Sequence, residues 1–257
     1  MKLVSRAVAA GERGVVASGR LRVRWVRRHD GSLLAGLLKR PIWNPGRSAL
    51  DALVEERTRL TDARGPQTLW EGYGQGTAAT RLPSVVRAPA AFGRAYRELV
   101  SARQPSLVVE VGTAFGVSGM YWLAGLEGNG NGHPVTFEIN PAWAEVAREN
   151  LAAVGTRFTL VEGKFEDNLG MLEAQHPPIG LAFLDGVHTS EWVIPQFEAV
   201  VAGSAPGTLV VFDDIDFSAD MGDCWARLSR DARVRASLTL GARVGVVELA
   251  AAAAANP

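Results

Sequence analysis

From residue 107 onward, apolar runs of strand length alternate with stretches of helical periodicity. The runs fall at 107–111, 134–138, 158–162, 180–184 and 208–212. The helical stretches fall at 116–126, 141–153, 167–174, 191–202 and 219–230. Strands separated by helix-length segments imply a parallel sheet with helices on both faces. Two further β-like runs, Ala236–Leu240 and Val244–Leu249, are separated only by a Gly-Ala-Arg turn. They read as a hairpin, which sets the last strand antiparallel at or beside the sheet edge. The expected fold class is therefore α/β: a doubly wound, mostly parallel seven-stranded sheet with an antiparallel terminal hairpin.

The first run continues into a small-residue turn, LVVEVGTAFGVS at 107–118. Gly112 and Gly116 let the backbone approach a ligand, and the free N–H groups of the helix that begins there favour an anionic group. A dinucleotide fingerprint would want glycine at positions 114 and 117, where this chain has Ala114 and Val117. The turn suits a nucleoside without phosphate better than a pyrophosphate. S-adenosylmethionine is such a ligand, and its carboxylate would sit near Thr113 and Ser118. Those missing glycines also weigh against a nicotinamide-dependent oxidoreductase.

Ligands of a doubly wound sheet bind beyond the carboxyl ends of its strands. The second strand ends at Glu138, one strand–helix–strand unit after Gly112, where a carboxylate can accept both ribose hydroxyls and repel a 2′-phosphate. The third leads into Gly163, Lys164 and Phe165, which are placed to hold an adenine ring. The fourth ends at Asp185, with His188 three residues on, and the fifth at Asp213 and Asp214. Adjacent parallel strands bring these three aspartates to one rim, where they repel unless a cation or protons compensate. All-oxygen ligation favours Mg²⁺ or another hard divalent cation over zinc. His188 is the candidate general base.

These segments together resemble a class I S-adenosylmethionine-dependent methyltransferase, over about 107–214. They are most similar to small O-methyltransferases with a VEVGTAFGVS-type first motif and an FLDGVH-type fourth strand. Metal-dependent members acting on natural-product hydroxyls carry an aspartate on the fourth strand, a histidine three residues later and an acidic pair after the fifth. Asp185, His188, Asp213 and Asp214 match that pattern; catechol-type relatives have Asp-Asn where this chain has Asp-Asp. The resemblance implies a Rossmann-like methyltransferase domain, with S-adenosylmethionine on Glu110, Gly112, Thr113, Gly116, Ser118, Glu138, Gly163, Lys164, Phe165 and Asp185. It further implies a divalent cation on Asp185, Asp213 and Asp214, His188 as base and a small hydroxylated acceptor. A metal-independent O- or N-methyltransferase is the alternative, followed by a catalytically dead scaffold.

Residues 101–250 are expected to form this domain and 251–257 a disordered tail. Residues 1–100 form a helical N-terminal extension, with helical patterning at 48–62 and 89–103 and a glycine-rich loop at 71–76 that could act as a lid. The extension is expected to govern substrate access and to supply homo-oligomer contacts. Its first fifty residues carry eleven Lys or Arg against Glu12 and Asp30, in a chain of zero net charge. Such an arm could serve an RNA-modifying protein, but Trp25 is its only aromatic between Arg20 and Arg40, which is no stacking platform for single strands. Its alternating Arg20–Trp25 segment reads instead as an exposed strand with one solvated face. Apolar stretches no longer than a strand, a single cysteine and no signal-peptide pattern predict a cytoplasmic chain with no membrane span.

Overall fold

The computed structural model describes residues 21–39, 48–68 and 80–250. Its strands are β1 (Val23–Arg27), β2 (Gln67–Thr68), β3 (Thr80–Arg81), β4 (Leu107–Val111), β5 (His133–Glu138), β6 (Thr159–Glu162), β7 (Ile179–Leu184), β8 (Ser204–Phe212), β9 (Val234–Leu240) and β10 (Val244–Leu249). Its helices are α1 (Leu33–Leu38), α2 (Ala49–Asp62), α3 (Pro83–Val86), α4 (Ala90–Arg103), α5 (Val117–Asn129), α6 (Pro141–Ala152), α7 (Leu169–Gln175), α8 (Ser190–Ala202) and α9 (Ala219–Leu228). The 71–76 loop, most of the basic arm and the 251–257 tail lie outside the described residues.

β4 and β7 are buried along their whole length because they lie at the centre of the sheet and helices cover both faces. Successive side chains point to opposite sides, so each strand feeds two cores. Val108, Leu181, Phe183 and Leu209 pack toward α4 and α5, whereas Val109, Ala182, Leu184 and Val210 pack toward α8 and α9. The main sheet runs β1-β9-β10-β8-β7-β4-β5-β6, with β8 to β6 parallel and β10 antiparallel to β8. Strand order reverses at β4, from which the chain adds β5 and β6 on one side and then β7 and β8 on the other, so the carboxyl ends of β4 and β7 form the crevice of this fold.

The sheet has eight strands, one more than expected from the sequence. The eighth is β1, from the arm, which pairs antiparallel with β9 through Val23↔Leu240 and Trp25↔Leu238. The terminal hairpin therefore lies inside the sheet, and β1 covers the open hydrogen-bonding edge of β9. Among the described arm residues, Arg27 also donates to the carbonyls of Arg230, Asp231 and Val234 beyond α9.

Helix starts follow local chemistry. Pro141 opens α6 behind the Asn140 cap, whose side chain accepts from the Ala142 and Trp143 N–H groups. Ser48 and Asp51 form a capping box at α2. α4 lies directly on α5, and a Cβ at Gly93 would stand 2.2 Å from the Tyr121 ring, so only glycine permits that approach. This packing buries Phe92, Tyr96 and Leu99 of α4 with Trp122 of α5. Among the described residues, no helix is long and apolar enough to cross a membrane.

Candidate active site

A cavity of about 1040 Å³ opens at the carboxyl ends of β4, β5, β7 and β8, walled on its far side by α3 and Arg87–Pro89. Its floor is the turn after β4. Gly112 has φ 90°, and a Cβ there would lie 2.1 Å from the Asp185 carbonyl oxygen, so the β4 and β7 ends touch only because the residue is glycine. The Gly112 and Thr113 N–H groups both donate to the Phe137 carbonyl at 3.1 Å, which ties the turn to the end of β5. Ala114 takes a left-handed φ of 46°, and its N–H donates 2.8 Å to Glu138 Oε2. Val117 and Ser118, the first residues of α5, face the cavity and bring the electropositive start of that helix to it.

Glu138 also accepts from the Asn140 N–H through Oε1 at 2.9 Å. Burial pushes its carboxyl above the usual range, against the backbone N–H groups of Asn140, Ala114 and Ile139, which favour the charge. Glu138 lines the cavity, and a carboxylate oxygen can accept more than one hydrogen bond, as a pair of ribose hydroxyls would need. The Gly163 N–H donates to the Glu138 carbonyl at 2.9 Å. Phe165 meets Phe137 edge to face at 5.4 Å, and Lys164 Nζ lies 5.5 Å from the Trp192 ring. Exposed Ile139 adds an apolar surface beside these rings.

Of the ten residues expected to hold the cofactor, eight line this cavity: Gly112, Thr113, Ser118, Glu138, Gly163, Lys164, Phe165 and Asp185. Gly116 stands behind the turn, against Ala147 of α6. Glu110 does not reach the cavity. It lies beneath the turn, accepts from the Thr136 hydroxyl at 2.7 Å, and is 1% exposed. A side chain in the middle of a parallel strand points into a helical layer, not past the strand end. Burial pushes its pKa from 4.5 to about 7, although the Ser118, Thr136 and Trp122 side chains favour the charge. The Thr113 hydroxyl turns the same way, to Thr136, so Thr113 offers the cavity mainly backbone.

At the other end of the cavity, His188 Nε2 stands 3.4 Å from Asp214 Oδ2 and 3.7 Å from Asp185 Oδ1. Asp213 is not among the residues lining the cavity. Its two oxygens accept from Arg243 Nε and Nη2, each at 2.7 Å, and Arg243 Nε also lies 3.1 Å from Asp214 Oδ1. Burial would raise Asp213, but the Arg243 charge and hydrogen bonds, His188 and the Asp214 N–H hold it below the usual carboxylate range. Burial and then the Asp213 charge push Asp214 up, and the same pressures raise Asp185 further.

The residues expected to ligate a divalent cation therefore do not fit that role. A hard ion needs free carboxylate oxygens, and those of Asp213 are committed to a guanidinium. Among the described residues no group of three metal-ligating side chains could hold an ion. Arg243 escaped the sequence reading, although a signal existed. If the last strand runs antiparallel beside β8, the turn before it must stand at the carboxyl end of β8. Tyr96 of α4, also unforeseen as a site residue, is among the residues lining the cavity, and its hydroxyl is buried.

A family model described as a methyltransferase domain matches residues 109–215, from β4 to the loop after β8. Residues 109–215 are thus similar to a methyltransferase domain. The domain also resembles O-methyltransferase imqG of Aspergillus flavus, at 32% identity over 114 residues, 42% of this chain and 44% of that protein. The aligned part is thus less than half the length of that curated relative. An O-methyltransferase from Bacillus cereus, solved in complex with SAH, is 21% identical with a TM-score of 0.56, over 79% of this chain and 92% of that one. TomG of Streptomyces achromogenes, involved in tomaymycin synthesis and solved with SAM, is 22% identical with a TM-score of 0.59, over 80% and 91%. At these identities the solved structures establish a shared methyltransferase fold, including the antiparallel closing strands.

Proposed function

We propose that this methyltransferase domain transfers a methyl group from S-adenosylmethionine to an oxygen of a small hydroxylated acceptor. One observation carries the reading: the Ala114 N–H and the Asn140 N–H hold Glu138 at one end of a cavity whose other end is His188 beside Asp214. The turn at Gly112–Ser118 suits a zwitterionic, phosphate-free nucleoside for the reason its sequence suggests, and the relatives solved with SAH and SAM support that ligand. The name of the imqG relative supports oxygen as the acceptor atom. A natural-product-like acceptor suits the apolar cavity wall of Val85, Tyr121 and Phe183.

When bound, S-adenosylmethionine supplies a methyl group on a cationic sulfur, so the protein's task is alignment and activation of the acceptor. Glu138 would hold the ribose, the α5 N-terminus the carboxylate, and Ile139 with Phe165 the adenine. His188, in its Nδ1–H tautomer, would take the acceptor's proton at Nε2, and Asp214 and Asp185 would stabilise the imidazolium that forms. Arg243 already engages Asp213, so proton removal would fall to His188. Substrate access through the extension is supported by α3 and Arg87–Pro89 on the cavity wall.

Calorimetry should show micromolar S-adenosylhomocysteine binding, about −8 kcal/mol. Glu138→Ala should weaken it by about 1–3 kcal/mol through loss of a charged acceptor. Tight NADH binding without S-adenosylhomocysteine binding would overturn the reading.

A further inference from the structure

We propose that Arg243 is the resident cation of the acceptor end, taking the place among Asp185, Asp213 and Asp214 that a divalent ion would need. The inference rests on the methyl-transfer reading for its chemistry. The acceptor would then be held through one oxygen by N–H and O–H donors rather than chelated through two by a metal.

Three observations converge on it. First, the guanidinium grips both oxygens of Asp213 at 2.7 Å and reaches Asp214 at 3.1 Å. The Arg243 side chain is only 11% exposed and Asp213 only 1%. An incoming ion would have to displace a buried, bidentate cation and leave its charge unpaired. Second, the backbone locks Arg243 in place. The Ile215 N–H donates to the Arg243 carbonyl at 2.9 Å, so the residue clamps the loop after β8 through both main chain and side chain. Asp214, between the clamped residues, has a left-handed φ of 50° and donates its N–H to Asp213 Oδ1 at 2.9 Å. Third, Tyr96 is one of the residues lining the same cavity, and its buried hydroxyl has no hydrogen-bond partner among the described residues. A buried donor without an acceptor is costly unless a ligand oxygen completes it.

Arg243 grips Asp213 through Nε and Nη2 and lines the cavity, so the N–H groups of Nη1 are the ones it would offer to an acceptor oxygen. In the reaction the acceptor O–H bond breaks, and its proton goes to His188 Nε2. The oxygen's electron pair forms the new O–C bond as the C–S bond breaks toward sulfur, neutralising the sulfonium. Negative charge developing on the oxygen would be met by Arg243 and Tyr96, which are fixed donors in a largely buried setting.

The test needs no acceptor. Mn²⁺ uptake is followed by electron paramagnetic resonance on the full chain, wild type and two variants. Wild type and Arg243→Lys, which both keep a cation, should take up no Mn²⁺ at this rim. Arg243→Ala removes the cation that holds Asp213 and Asp214 and should take up about one Mn²⁺ per chain where wild type takes up none. Adding Asp213→Asn to it should abolish the gain. Stoichiometric uptake by wild type would overturn the proposal, as would a folded Arg243→Ala chain that takes up none. Circular dichroism melts on each variant establish folding. Should Arg243→Ala fail to fold, Mn²⁺ uptake by Arg243→Lys refutes the idea and its absence together with wild-type silence supports it. Failure of wild type to bind S-adenosylhomocysteine would sink the methyl-transfer reading and leave the Mn²⁺ result to decide on Arg243.

Discussion

Glu110 and Glu138 are both carboxylates on parallel strands, and their surroundings give them different work. Glu138, at a strand end, meets three N–H groups and the cavity, whereas Glu110, inside its strand, meets hydroxyls and apolar side chains. The raised value of about 7 for Glu110 makes it a destabilising element at neutral pH. An acid whose pKa rises on folding contributes stability that is full below its unfolded value of 4.5 and is lost as pH climbs to about 7. Glu110→Gln should remove that loss. Its stability relative to wild type should improve by up to about 3 kcal/mol between pH 4.5 and pH 8 in urea melts. A pH-independent difference would refute the buried-acid account. At the other end of the cavity, His188→Ala should lower turnover roughly 10²–10⁴-fold while sparing S-adenosylhomocysteine affinity. Steady-state kinetics beside calorimetry checks this, and an unchanged rate would remove His188 as the base. At this scale the sequence puts Glu138, Asp185 and Asp214 at strand ends, and the structure has all three on the cavity wall. Sequence reasoning misjudged Glu110 because side-chain direction depends on where a strand stops relative to its neighbours.

Helices α2, α4 and α5 meet at one side chain. Asp51 accepts from the Ser48 N–H and hydroxyl at its own helix start, from Arg94 at 3.2 Å and from the Tyr121 hydroxyl at 3.0 Å. Burial alone would raise its pKa, but the Ser48 N–H, the Tyr121 hydroxyl and the Arg94 charge hold it below 3.8. Its contribution is therefore present above that value and is lost as pH falls through the lowered one. Asp51→Ala should cost about 2–4 kcal/mol at pH 7, since Arg94 and Tyr121 both lose a partner. The gap to wild type should narrow in melts taken below pH 3.8. A cost under about 0.5 kcal/mol, the range of an ordinary surface change, would show that the helices are held by apolar packing alone. The helical pattern at 48–62 and 89–103 was plain from periodicity, and the structure places α2 and α4 there. That Asp51 would bind two later helices was not, because the partners stand 43 and 70 residues away.

Across the whole molecule, the first hundred residues do more than flank the domain. β1 extends the sheet, Leu34 and Leu37 of α1 are buried in the main core, and α4 covers α5. Removing residues 1–60 should therefore expose the β9 edge and part of that core. We expect a lowered melting temperature and aggregation by light scattering. A truncated chain with unchanged melting temperature and mass would show the extension to be dispensable to the fold. Alternating apolar runs and helical stretches were enough to specify the α/β class, the order of the central elements and the turn at 112–118, because these depend on short-range periodicity and local backbone needs. The edge pairing of β1 with β9 and the grip of Arg243 on Asp213 required the folded chain. Both join segments about thirty to more than two hundred residues apart, and no local pattern records which distant strand or carboxylate will come to rest beside them.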